Sequence, residues 1–246
     1  MDIARNRIVI IYTLLLGIIS VSMFWLESSS EKGLLSLLNV TLLFVPLVSM
    51  IFSTIYYYNS QEFMEVLLAQ PLHRKKLILG LYLALAISLS ASFLIGAGLP
   101  VLLYNGTTTG LLLVVMGLLL TFVFVGIAFF ASVYTRDKAK GIGLAILMWF
   151  FFGVLYDGLV LLILFAFNEY PLEGTTLLMT ALNPIDMARI SLLLQMDISA
   201  LMGYTGAVFQ DVFGSGYGIP LTICILLCWM VIPFWLAMRK FVRKDI

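Results

Sequence analysis

Six uninterrupted apolar runs decide what this chain can become. Residues 8–26, 34–57, 77–104, 110–134, 141–167 and 218–238 hold a single charged side chain between them, Asp157. Each is long enough to cross a hydrocarbon core, which takes about 20 residues of helix. Lipid offers a backbone no hydrogen-bonding partner, and these runs are continuous rather than alternating, so they fold as helices and not as barrel strands. The chain is 62% hydrophobic and 11% charged, with a mean hydropathy of +1.10, which no soluble domain requires. The expected fold class is an all-α integral membrane protein of one domain over 1–246. It has six transmembrane helices, a short helix outside the bilayer after the second, and an outer interfacial or re-entrant helical segment before the last. The first run follows Arg5 and Arg7 and lacks a small-x-small cleavage site, so it reads as a retained helix.

Orientation follows from the basic residues. Arg5, Arg7, Arg74, Lys75, Lys76, Arg136, Lys138, Lys140, Arg239, Lys240, Arg243 and Lys244 fall on one side, twelve of the fourteen Lys and Arg. Lys32 and Arg189 fall on the other. The positive-inside rule makes the first side cytoplasmic, with both termini on it, in a bacterial or archaeal cytoplasmic membrane. A net charge of +1 gives no pointer to nucleic acid, and none is expected as a partner; membrane lipid is.

The stretch NSQEFMEVLLAQPLHRKK, residues 59–76, interrupts the apolar pattern on the basic side. Asn59 or Ser60 offers an N-cap oxygen, and Glu62 and Glu65 suit the positive end of a helix dipole. Phe63 and Leu67, and Met64 and Leu68, lie four apart and give the helix an apolar side. Pro71 stops it, and Arg74 begins the re-entry into the membrane. Such a helix is suited to being held by another protein.

The segment 168–217 is about fifty residues of semi-apolar chain on the other side. Asn183-Pro184 starts a helix there, with Asp186 in its first turn, Arg189 after it, and Ile185, Ala188, Leu192 and Met196 at helical spacing. Asp197 or Ser199 begins a further piece. Asn183, Pro184, Asp186, Arg189 and Asp197 are the candidates for docking an outer partner, although a plain lid over the bundle fits the same residues. The tripeptide Asn105-Gly106-Thr107 matches a glycosylation acceptor, but so short a pattern arises by chance.

Few residues suggest chemistry. Asp157, in LYDGL, is a candidate substrate or proton contact, or a hinge with Gly158; equally it is a carboxyl hydrogen-bonded between helices to fix their packing. Cys224 and Cys228 lie one turn apart with Met230 nearby, a soft-ligand spacing that ordinary small apolar residues also produce. Met179, Met187, Met196 and Met202 could line a thioether path or simply pack. The row Ala84, Ser88, Ser92, Gly96, Pro100 makes a small-residue face for close approach of another helix, of the same chain or of a second copy, the first being favoured. No catalytic, cofactor or metal site is expected, because the sequence holds no GxxxxGK[ST] loop, no HExxH, and one histidine, His73.

These features resemble an ABC-2 type permease, the membrane half of an ATP-binding-cassette transporter. Glu65, Leu67, Leu68, Pro71 and Arg74 in EVLLAQPLHRKKLILG are similar to that family's coupling segment, E-x-L-L-x-x-P-x-x-R, and LNPIDMARI resembles its outer-segment motif. The resemblance covers nearly the whole chain. It implies a subunit that is not itself an enzyme, working with a separate cytoplasmic ATPase that binds ATP and Mg. A narrower likeness, over LLLQMDISALMGYTGAVFQDVFG and LYDGL, is to NosY-type permeases of nitrous oxide reductase maturation. That likeness implies a second copy of the chain, a NosF-like cytoplasmic ATPase, a NosD-like periplasmic protein, and a role in copper-site assembly. A general exporter of lipid, polysaccharide or drug fits the broader family; a secondary transporter, a channel or a structural scaffold fits the residues without it.

Overall fold

The computed structural model describes residues 6–70, 73–167, 173–196 and 218–243, with the backbone alone of Glu173. Six long helices cross the bundle: α1 Arg7–Leu26, α2 Ser30–Asn59, α4 Arg74–Tyr104, α5 Thr108–Tyr134, α6 Lys138–Ala166 and α9 Gly218–Val242. Three short ones complete the described fold, α3 Gln61–Leu68, α7 Glu173–Ala181 and α8 Pro184–Gln195, and no strand occurs among the described residues. The spans run longer than the apolar stretches because polar flanks cap them. Asn6, Ser29, Thr107 and Asp137 each accept a hydrogen bond from an amide in the first turn that follows. At 30 residues α2 is about 45 Å long, more than a hydrocarbon core of about 30 Å, so it projects or tilts.

Helix α5 is the centre of the bundle, with most of its 27 residues buried against α2, α4 and α9. Apolar side chains gain nothing by leaving lipid for one another, so close approach through small residues sets these contacts. A Cβ at Gly117 would lie 2.2 Å from Cζ of Phe93, so the far end of that ring on α4 occupies the space the glycine leaves. Gly126 faces the backbone of α9, where a Cβ would meet the Met230 carbonyl at 3.4 Å. The small-residue row on α4 does meet its own chain: Gly96 faces Thr13 and Leu16 of α1, where a Cβ would come within 2.8 Å of both. Only its outer half is filled, however; Ser92, Gly96 and Pro100 are buried, whereas Ala84 is exposed.

Two of the spans contain a π turn, which the residue pattern does not announce. One, Leu94–Gly98, precedes Pro100, which has no amide to give the Gly96 carbonyl and crowds it. The other, Phe151–Leu155, lies in the middle of α6 and contains no proline. Helix α6 is also the least covered span: only Gly141 and Ala145 of its 29 residues are buried.

Of the two forms expected for the outer segment, the structure takes the re-entrant one. Helices α7 and α8 meet at 116° around Leu182 and Asn183. Their apex lies at mid-span: Trp229, near the centre of α9, donates its indole N–H to the Ala181 carbonyl at 3.0 Å, and Asn183 reaches Phe152 at the centre of α6. Both limbs return to one end. Gln195 lines a cavity with Ser30, Asn105 and Thr107, which join spans at the end opposite the basic residues, and α7 begins seven residues after Ala166 at that same end. Irregular backbone at this depth is tolerated because protein groups, rather than lipid, satisfy it.

Candidate functional site

At the basic end, helix α3 continues from α2 with only a slight break. The expected side-chain cap is not made: Ser60 stays in the right-handed helical region, its amide bonds the carbonyls of Tyr56 and Tyr57, and its carbonyl accepts from Met64 at 2.9 Å. A chain that never leaves helical geometry has no orphan amides for a cap oxygen to meet. Asn59 instead accepts from the Lys138 ammonium at 2.8 Å. The apolar side divides. Met64 is buried and Leu68 packs on the core, while Phe63 and Leu67 border a cavity between α3 and α4. Glu62, Glu65 and Val66 are exposed. Helix α3 ends at Leu68 with Ala69 as its C-cap; Pro71 lies outside the described residues. Arg74 donates to the Val242 carbonyl at 3.4 Å, tying the start of α4 to the end of α9.

The base of α3 is clamped. Tyr57 stands edge-on to Phe129, Phe129 edge-on to Tyr82, and Tyr82 is stacked on Phe234 with centroids 4.1 Å apart. One aromatic cluster thus joins the ends of α2, α4, α5 and α9 within a few residues of α3, each such pair contributing about 0.5–1.5 kcal/mol beyond its buried area. The next residue, Tyr58, turns to α6. Its hydroxyl hydrogen-bonds the Thr135 hydroxyl and lies against Gly141, where a Cβ would fall 2.2 Å from it. Together with Asn59–Lys138, these contacts fasten the foot of α6 to the base of α3.

At the other half of α6 the re-entrant hairpin is attached at three points. Tyr156 donates to the Met179 carbonyl of α7 at 2.6 Å. Asn183 donates from Nδ2 to the Phe152 carbonyl inside the π turn at 2.9 Å, while its Oδ1 accepts from the Ile185 amide as the N-cap of α8. Arg189 places Nη1 2.6 Å from Oδ2 of Asp157 and 3.2 Å from Oδ1 of Asp186. One cation therefore serves two carboxylates from two helices, in a setting where the side chains of Asp157, Asp186 and Arg189 are 37%, 11% and 29% exposed.

This arrangement corrects several expectations. Asn183, Pro184 and Asp186 are buried within this chain and hold the hairpin inside the bundle. Arg189 is committed to the two carboxylates, and Asp197 lies outside the described residues. Asp157 sits in the outer half of α6, because the helix starts at Lys138. It is the carboxyl bonded between helices, with a guanidinium as its partner. Cys224 and Cys228 lie on an exposed face of α9, and no group of three or more His, Cys, Asp or Glu that could hold a metal occurs among the described residues. Met187 is core, Met179 and Met196 are half-buried, and Met202 is not described. Asn105 is buried, with its amide on the Ser30 carbonyl and its oxygen accepting from Thr107.

Asn183 is the residue whose role local pattern missed. Asn183→Ala is expected to lower the melting temperature of the detergent-solubilised subunit, by a loss of about 1–3 kcal/mol, since two polar groups lose their partner. Asn183→Ser keeps an acceptor for the Ile185 amide without adding charge and loses the donor to Phe152, so it should fall between wild type and alanine. Equal melting of all three would show that the apex contact contributes nothing.

Comparison with known proteins gives a consistent result. A model of the family described as "ABC-2 family transporter protein" matches residues 44–246. The chain is 27% identical to a "Probable ABC transporter permease protein NosY" of Stutzerimonas stutzeri, over 98% of this chain and 94% of that one. It is also 27% identical to a protein of the same description from Pseudomonas aeruginosa, over 94% of this chain and 88% of the other.

Proposed function

The chain belongs to the ABC-2 family of transporter proteins, and from that premise we propose that α3 is the lever on which a separate cytoplasmic ATPase acts. In this reading the basic end and both termini are cytoplasmic, as the positive-inside rule requires. The ATPase is of the NosF kind and holds the ATP and Mg; a second copy of this chain completes the membrane unit. The moving part on the opposite side is the re-entrant hairpin, and its client is a periplasmic NosD-like protein in copper-site assembly of nitrous oxide reductase. The copper role rests on the likeness to NosY permeases alone.

The observation that carries the mechanical part is the double attachment of α6. Its foot is fastened to the base of α3 through Asn59–Lys138 and Tyr58–Gly141, and its outer half to the hairpin through Phe152, Tyr156 and Asp157. From Lys138 to Asp157 the helix spans about 29 Å at 1.5 Å per residue. A hydrogen-bonded helix is stiff along its axis, and packed interfaces shift between discrete arrangements rather than deforming continuously. A displacement of α3 therefore has a physical route to the hairpin.

The test is isolation of the subunit in mild detergent with the chains that accompany it. An ATPase and a periplasmic protein are expected. Glu65→Lys, on the exposed face of α3, should retain the periplasmic chain while weakening the ATPase about tenfold, the loss of one good interface contact. Full retention and unaltered nucleotide turnover in Glu65→Lys would overturn the assignment of α3, and absence of any ATPase would overturn the function.

A further inference from the structure

Behind α3, on the side away from Glu62 and Glu65, lies a cavity of about 400 Å³ that the mechanism above does not use. Phe63 and Leu67 of α3 form one wall, Gly80 and Ala84 of α4 the floor, and His73 and Lys76 stand at its rim. The cavity exists because α4 presents small residues here: the row that α1 fills at Gly96 is left open at Gly80 and Ala84. Its surroundings have a sharp gradient of polarity. From Lys76 to Ala84 is eight residues, or about 12 Å down the helix axis, from an ammonium to a purely apolar floor. Leu79, Leu83 and Ile87 are exposed alongside on α4, so the groove is continuous with a surface that hydrocarbon must cover. At the rim, Lys76 pairs with no carboxylate among the described residues, and Lys75 and Arg74 add to the positive charge.

An apolar groove opening sideways into lipid, with cations at the height where the span leaves the membrane, matches one class of amphiphile. We propose that this cavity binds an anionic glycerophospholipid of the leaflet on the basic face, its phosphate at Lys76 and His73 and one acyl chain laid between α3 and the first turns of α4. Basic residues at such a boundary attract anionic headgroups, and a preformed slot for the chain converts that general attraction into a site. The bound lipid would wedge α3 from behind, so the composition of the leaflet would set how far α3 can travel. The site itself needs only the membrane topology, and not the ATPase assignment.

The test is native mass spectrometry of the complex, purified in mild detergent and equilibrated with phosphatidylglycerol or phosphatidylcholine. Wild type is expected to retain phosphatidylglycerol about fivefold better, and inorganic phosphate should not compete. Lys76→Gln should lose that preference while still retaining lipid. Gly80→Leu should lose both lipids; a Cβ there meets nothing within 4 Å, so the side chain can enter the cavity without breaking the bundle. An unchanged melting temperature checks that it does so. Equal retention of the two lipids by wild type, or undiminished retention by Gly80→Leu, would overturn the proposal. So would a Gly80→Leu complex that keeps its lipid and sheds a protein subunit, since the groove would then be a protein dock.

Discussion

Arg189→Gln is expected to leave the complex assembled but idle, and adding Asp157→Asn should restore part of what is lost. Arg189 joins a carboxylate of α6 to one of α8. Without it, Asp157 and Asp186 share a poorly hydrated site with no cation, and each repels the other. Breaking a buried ion pair by removing one partner costs about 3–5 kcal/mol. Asp157 is about one-third open, which places the expected cost near the lower figure. In the double variant Asp186 no longer faces a second carboxylate and is the one acid left without a cation, so the two changes should not add. A thermodynamic cycle on the melting of the subunit should give a coupling energy of about 1–3 kcal/mol, and nucleotide-driven activity should follow the same order. Additivity within about 0.5 kcal/mol would mean that the hairpin does not depend on this pair.

The largest effect on folding is expected at Gly117. An added Cβ would fall 2.2 Å from one ring carbon of Phe93 and 2.6 Å from another, and Phe93 is wholly buried in the helix pair that forms the core. The ring has nowhere to go, so α4 and α5 must separate. Overpacking of this kind costs about 1–3 kcal/mol for one methyl, and Gly117→Leu should yield little monodisperse protein. Phe93→Leu should recover much of the stability of Gly117→Ala. Gly143→Ala and Gly158→Ala are the controls, since a methyl at either meets nothing within 4 Å; they should melt with wild type. A Gly117→Ala subunit that melts with the controls would remove α4–α5 contact from its central place.

The sequence showed some of this and concealed the rest for physical reasons. Span number follows from run length alone. Asn183-Pro184 marked the start of a helix correctly, because capping is a property of neighbours in the chain. What local pattern could not convey is depth. Asp186 and Arg189 read as surface charges, whereas Arg189 joins Asp186 to Asp157 between two helices, across a separation of 32 residues. The Ser60 cap failed for the converse reason: the residue type was right, but the chain ran on as helix and left no amide in need. The coupling role of α3 rests on kinship and on the contacts at its base, neither of which a hydropathy profile contains.

The π turn at Phe151–Leu155 has a consequence for how such a chain can vary. A turn of this kind is an ordinary helix carrying one extra residue, so losing any single position within it heals the spiral. Everything beyond would keep its facing, because the turn absorbs the extra residue locally. A residue lost from the regular part of α6 between the foot and Tyr156 would instead swing all that follows by about 100° around the axis and about 1.5 Å along it, and Tyr156 and Asp157 would face away from the hairpin. Length is therefore held more tightly in the regular turns of α6 than in this short stretch, where one residue can be given up.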